Sequence, residues 1–350
     1  MKKIISSVVL VCYITLGAAQ LTIQNGATFY LDNGSIVSVE KSIYSVEEIY
    51  GEGDLVITGT TPTAAEVEAP SIPGLIVYSN IPAMLKSNLY IKKRLTLSGA
   101  GIQLNQYNLA LDKSAAFSGN DRAYIITNGS GTLKISLNAN KNTGRLDIGT
   151  SRYYMPLNFK YAGESTNGYV EVQAVEKINP RKNAASGHFL NSYWNVHKYN
   201  LGGELTARAQ IVSPGIVHGN ITRLRSSYWD GREWQFQENN SSDPNNANVI
   251  ASISSANGEI YAMSDATKKV LSILDNPFRS SAILQWSSED EELYNIVIVD
   301  LDGKVLQTMS QKIPRGVFQK KISFDNYPPG MYMIKVESKS VHETIKAAKL

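Results

Sequence analysis

After residue 20 no stretch of this chain carries the apolar periodicity of a long helix. Short β-type runs recur instead: ATFYL, SIVSVE, DLVITG, GLIVYS, AYIITN, GTLKISL and YVEVQAV. Each is bounded by Gly, Asn, Asp, Ser or Pro, the residues that end strands and make turns. Such a pattern confines the chain to an all-β fold. The 19 tyrosines suit half-buried strand faces, and 350 residues at 43% hydrophobic are enough for two or three packed cores.

The beginning of the chain has a different character. A basic MKK start leads into the apolar run IISSVVLVCYITL and then GAA, with small residues at Gly17 and Ala19. This is the pattern of a secretory signal peptide, too short to span a bilayer comfortably, and it places cleavage between Ala19 and Gln20. Cys12, the single cysteine, lies inside that run, with Val11 rather than a small residue before it, which argues against lipidation. A mature chain from Gln20 has no thiol. It is stabilised by packing rather than disulfides, and thiol catalysis and cysteine–zinc sites are excluded.

Five regions are expected: a signal peptide at 1–19, a β-rich repeat region resembling a solenoid or meander at 20–138, a β-sandwich at 139–262, a short linker at 263–270, and a C-terminal module at 271–350. The repeat is carried by LTL at 95–97, IQL at 102–104 and LAL at 109–111, a step of seven. Gly99, Gly101, Asn105 and Asn108 argue against a coiled coil and for short strands joined by tight turns. The acidic, Thr/Pro/Gly-rich stretch at 40–70 reads as an exposed loop or insertion. Glu47, Glu48, Glu52 and Asp54 within it lack the spacing of a calcium loop. In the sandwich, NSYWNVHKYN alternates so that Trp194 and Val196 face one side and Tyr193, His197 and Tyr199 the other. RLRSSYWDGREWQF reads as a hairpin turning at Asp230-Gly231, with Trp194, Trp229 and Trp234 packed between two sheets.

No chemistry announces itself. The four histidines are isolated, and there is no nucleophile elbow and no phosphate-binding loop. No cofactor, metal site or catalytic residue is expected. A formal net charge of +3 without long Lys/Arg runs gives no nucleic-acid stripe. The aromatics have two readings. They are core and strand-surface residues, or Tyr193, Tyr199, Tyr228, Trp229 and Trp234 form a platform on which a glycan stacks.

Residues 271–350 read as one unit. LSILDNPFRSSAILQWSS gives an extended lead-in and a strand, and LYNIVIVDLDGKVLQTM a hairpin. Two further strands meet through NYPPG, and HETIKAAKL ends the chain as a basic strand. DLDGK lacks the flanking helices and twelfth-position ligand of a calcium loop, so it is a turn. Asn276-Pro277-Phe278, Asp300, Gly303-Lys304, Gly330, Tyr332 and a final strand bearing Ile345, Lys346 and Lys349 together resemble the C-terminal sorting domain of type IX secretion cargo. Asp275 stands where that family usually has a first proline, and Gly-Met-Tyr replaces Gly-Val-Tyr. The fold expected of this module is a small Ig-like sandwich.

The resemblance implies export to the periplasm, passage across the outer membrane, and arrival at the cell surface or outside the cell. The partners it implies are the outer-membrane secretion machinery and a sortase-like peptidase, which commonly removes such domains and links the passenger to surface polysaccharide. The passenger is similar, through LSGAGIQLNQYNLAL and AYIITNGSGTL, to β-rich segments of other cargo, which supplies no activity. Two functions stay open for it: a structural or adhesive surface protein, or a module binding a surface, host or environmental glycan. For the module, the terminal strand is expected to offer unpaired backbone groups. Asn276 is expected to do little beyond directing the backbone, so that Asn276→Ala is mild.

Overall fold

The computed structural model describes residues 20–59, 63–137, 143–163, 168–183, 186–236, 248–253, 257–264, 271–288, 291–314, 316–339 and 341–350. The signal-peptide reading, with Ala19, and residues 265–270 of the expected linker lie outside them. Among the described residues the chain is strand and turn, with two short 3-10 segments at Pro214–Ile216 and Ile221–Arg223 and no α-helix. The chain changes from one compact unit to a second between Ser264 and Asp265. Met263 and Ser264, expected to begin the linker, are instead buried in the first unit.

The first unit begins as a β-solenoid. One sheet stacks Leu21–Ile23, Ile43–Ser45, Glu66–Glu68, Ala83–Leu85, Ile102–Gln103, Ile125–Ile126 and Ile148–Gly149 in parallel. A longer sheet stacks Ile36–Val39, Asp54–Ile57, Ser71–Val77, Leu89–Leu97, Leu109–Leu111 and Leu133–Leu137 in the same way. Parallel neighbours need a crossover, and here the strand of the opposite sheet makes it. The chain therefore winds. Leu55, Leu75 and Leu95 are register partners on successive coils, all fully buried. Each such side chain contributes about 1.5–3 kcal/mol by leaving water.

This winding corrects the heptad. LTL and LAL lie in the longer sheet, and IQL lies across from them. Seven residues are thus one crossing between faces. The repeat itself is the coil, twenty residues from Leu55 to Leu75 and again to Leu95.

The stretch at 40–70 is also corrected. Its described residues, 40–59 and 63–70, are solenoid coil rather than an insertion: Ile43, Ile49, Leu55, Ile57, Val67 and Ala69 are all fully buried. Three of its carboxylates are matched to one later strand, Leu89–Leu97. Glu48 pairs with Lys92 at 2.9 Å, Glu52 with Lys93 at 3.1 Å, and buried Asp54 with Arg94, whose Nε donates to Oδ1 at 3.2 Å. Asp54, Gly74 and Arg94 are neighbours across three strands. A Cβ on Gly74 would lie 1.9 Å from Asp54 Oδ1, so the missing side chain is what lets the ion pair close over that strand.

Leu133–Leu137 ends the parallel stack. It pairs in parallel with Leu109–Leu111 on one side and antiparallel with Gly168–Val175 on the other. The sheet continues through Tyr193–Tyr199 to Asn257–Met263 and the hairpin Arg225–Trp229/Trp234–Phe236. The hairpin turns at Asp230-Gly231 as expected, with Gly231 at a φ of 104°. A four-stranded sheet of Thr143–Leu146, Leu157–Ala162, Glu204–Gln210 and Asn248–Ile253 shares the same core. Residues 20–138 and 139–262 thus join through one sheet and one core. Trp194 is fully buried there, its Nε1 donating to Met155 O at 2.9 Å, whereas Trp229 and Trp234 are only half-buried.

Several tyrosines tie this unit to its carboxylates. Tyr90 donates to Asp112 and Tyr154 to Asp147. Burial, reinforced by those carboxylates, pushes both phenols up to about 12. The fold holds these protons more tightly than the unfolded chain, whose phenols titrate near 10. Stability from them is therefore complete below about pH 10 and lost as pH climbs through about 12. Thermal melts from pH 8 to 12 should show this alkaline loss, and Tyr154→Phe should flatten it. A Tyr154→Phe melt with an unchanged alkaline slope would remove Tyr154 from the account.

Candidate sorting site in the C-terminal unit

The second unit builds two antiparallel sheets from alternating strands. Three strands, Ser272–Leu274, Ser281–Ser288 and Gly316–Ser323, form one sheet. Val305–Ile313, Glu292–Val299, Gly330–Glu337 and His342–Lys349 form the other, in that order. Their core holds Leu284, Trp286, Tyr294, Ile296, Ile334 and Val336. The DLDGK segment is the expected turn. Asp300 Oδ1 accepts the Asp302 and Lys304 N–H groups at 3.0 and 2.9 Å, and Gly303 takes a φ of 82°.

The residues expected to form the sorting motif converge on the end of the chain. Tyr332, 4% exposed, packs against Phe324 with ring centroids 5.3 Å apart, and Phe278 packs on the same ring at 4.7 Å. Gly330 opens its strand as the register partner of Lys349. Lys349 Nζ donates to Phe324 O at 2.7 Å and also to Tyr327 O, so this lysine braces the turn before Tyr332 rather than standing free. Lys346 is exposed and Ile345 half-buried.

The lead-in departs from expectation. Ser272–Leu274 is extended as expected, but the chain then bends at 275–277, with Asp275 at a φ of 62°. It also lies along the terminal strand. Asn276 Nδ2 donates to Lys346 O at 3.1 Å, and its Oδ1 accepts the Ala348 N–H at 2.8 Å. Phe278 N–H donates to Ala348 O and Phe278 O accepts the Leu350 N–H, both at 2.9 Å. The edge expected to be unpaired is therefore covered over 346–350. The partners of Asn276 stand 70 and 72 residues away in sequence, so no local pattern reveals them.

Residues 272–349 match the family described as secretion system C-terminal sorting domain. The match supports a cargo protein of the type IX secretion system, directed to the cell surface or the extracellular space. Interaction of this sorting domain with the type IX machinery follows from the same match. No curated protein and no solved structure matches the chain.

The passenger that the sorting domain accompanies has one face with mixed chemistry. On the antiparallel part of the long sheet, alternate residues line up across strands. Lys134, Glu171, His197 and Asn257 form one row, Ser136, Tyr169 and Tyr199 a second, and Gln173, Asn195, Glu259 and Trp229 a third. Tyr169 and Tyr199 stack with centroids 4.6 Å apart, and Tyr199 is 39% exposed. His197 Nδ1 lies 2.8 Å from Asn257 Oδ1, and Asn179 Nδ2 donates to Glu259 at 2.7 Å. The Arg181 guanidinium lies over the Trp229 ring at 5.4 Å.

Two of the aromatics proposed for a glycan platform are withdrawn from it. Tyr228 is 1% exposed and points to the inner side, where Gly258 leaves it room; a Cβ there would fall 1.8 Å from its ring. Tyr193 is 5% exposed. Tyr199, Trp229 and Trp234 remain, and Tyr169 joins them. A strand-alternation pattern places Tyr193 and Tyr199 on one face but does not show which end of that face is roofed over.

Proposed function

We propose that the chain is an exported, non-enzymatic passenger with a structural or adhesive role, cleaved after Ala19 to begin at Gln20 and delivered by its C-terminal sorting domain. The single observation that carries delivery is the family match at 272–349 on a module with its own core. A solenoid running into an antiparallel sheet through one continuous hydrophobic core supports the structural reading of the rest. Expression without residues 265–350 tests both halves. The passenger should unfold cooperatively on its own and stay in the periplasm with Gln20 as its first residue. A truncated chain that reached the surface would remove delivery from the sorting domain, and one without cooperative unfolding would make the passenger dependent on it. A hydrolytic activity abolished by substitution of one carboxylate would overturn the non-enzymatic reading.

A second reading is favoured by the Tyr169–Tyr199 stack beside Glu171, His197 and Asn195. Sugar rings present a C–H face to aromatic rings and hydroxyls to neighbouring amides and carboxylates, and this face offers both. Binding of a polysaccharide should then fall about threefold to tenfold in Tyr199→Ala, the loss of one ring contact. Equal retention of the wild type and Tyr199→Ala on a glycan array would contradict it.

A further inference from the structure

In a parallel ladder, a residue donates its N–H to the carbonyl just before its partner and accepts the N–H just after it. Phe278 does this against Lys349, through Ala348 O and Leu350 N. The preceding rung would stand opposite Ala347 and would use Lys346 O and the Ala348 N–H. Those are the two groups that the Asn276 side chain takes. The Asn276 side chain, not its backbone, makes both bonds, just after the chain bends at Asp275. The side-chain amide, a donor and an acceptor in one plane, stands in for the missing peptide group.

We propose that Asn276 is a positioning residue for the terminal strand: its amide makes the first rung of a short parallel ladder that Phe278 completes. The inference rests on the sorting reading, and it adds what the Asn-Pro-Phe lead-in does there. Pairing with Gly330–Glu337 sets the register of the terminal strand, and the ladder secures its other side over 346–350, beside Ile345 and Lys346. Aspartate at 276 has no donor for Lys346 O, and alanine has neither group.

The test uses the full chain as wild type, Asn276→Ala, Asn276→Asp and a deletion of 342–350. Hydrogen exchange at Ala348 is read together with surface delivery. In Asn276→Ala, exchange at Ala348 should quicken about tenfold to a hundredfold, the loss of two modest hydrogen bonds, while Ile296 and Ile334 stay protected. Delivery should fall with it, and Asn276→Asp should also lose delivery. Unchanged exchange at Ala348, or equal loosening of Ile296 and Ile334, would overturn the positioning role. So would normal delivery of Asn276→Ala when the deletion is retained. Normal delivery of the deletion would instead defeat the sorting reading itself, whatever Ala348 does.

Discussion

Cells producing the chain without residues 342–350 should retain it, signal-cleaved, in the periplasm. His342–Lys349 pairs along its whole length with Gly330–Glu337, so its loss strips one edge of the strand that carries Tyr332, Ile334 and Val336. Three further supports leave with it. Buried Ala347 is removed from the core, the Lys349 brace on the carbonyls of Phe324 and Tyr327 is lost, and Asn276 and Phe278 have nothing to bond. The cost to the sorting domain should exceed the ~4–5 kcal/mol that marks the extreme of single substitutions. An uncovered, alternating strand edge would also invite wrong pairing. Fractionation and surface labelling check the location, and a thermal melt of the retained chain should still show the passenger transition. Surface appearance equal to the full chain would refute the assignment.

The second large effect belongs to the solenoid. Gly101→Val should destabilise the passenger by on the order of 4 kcal/mol, from a positive φ joined to a steric conflict. Gly101 has a φ of 88°, and a Cβ there would fall 2.1 Å from Tyr124 O, which belongs to the next coil. That oxygen accepts the Ile102 N–H at 3.1 Å, so relieving the overlap breaks the stacking register. Gly34 is the control: its φ of 75° is similar, but nothing lies within 4 Å of its Cβ position. Gly34→Val should therefore cost only about 2 kcal/mol, the backbone strain alone. Urea unfolding of the two variants separates the effects. Equal losses would mean that coil-to-coil contact at Gly101 contributes nothing.

Much of this was legible in the chain itself because it is written locally. Strand alternation put Trp194 and Val196 on one face, the face that is buried, and Asp230-Gly231 marked its hairpin. The order of motifs after residue 271 marked the sorting domain, now matched at 272–349. What escaped is written at long range. The coil of Leu55, Leu75 and Leu95 uses ordinary aliphatics at a spacing that turn lengths vary, whereas the seven-residue crossing inside it is conspicuous. Glu48, Glu52 and Asp54 read as a solvated acidic loop until Lys92, Lys93 and Arg94 are brought beside them by winding. Asn276 looks like a turn residue until the end of the chain lies next to it.

The central claim is that an all-β passenger leaves the cell by the type IX route because of its last eighty residues or so. The most direct measurement is the location of the full chain, by protease accessibility on intact cells, with the type IX machinery working and with it disabled. The chain should be accessible or released only when the machinery works, and protected in the periplasm when it does not. Equal accessibility in both would contradict the claim.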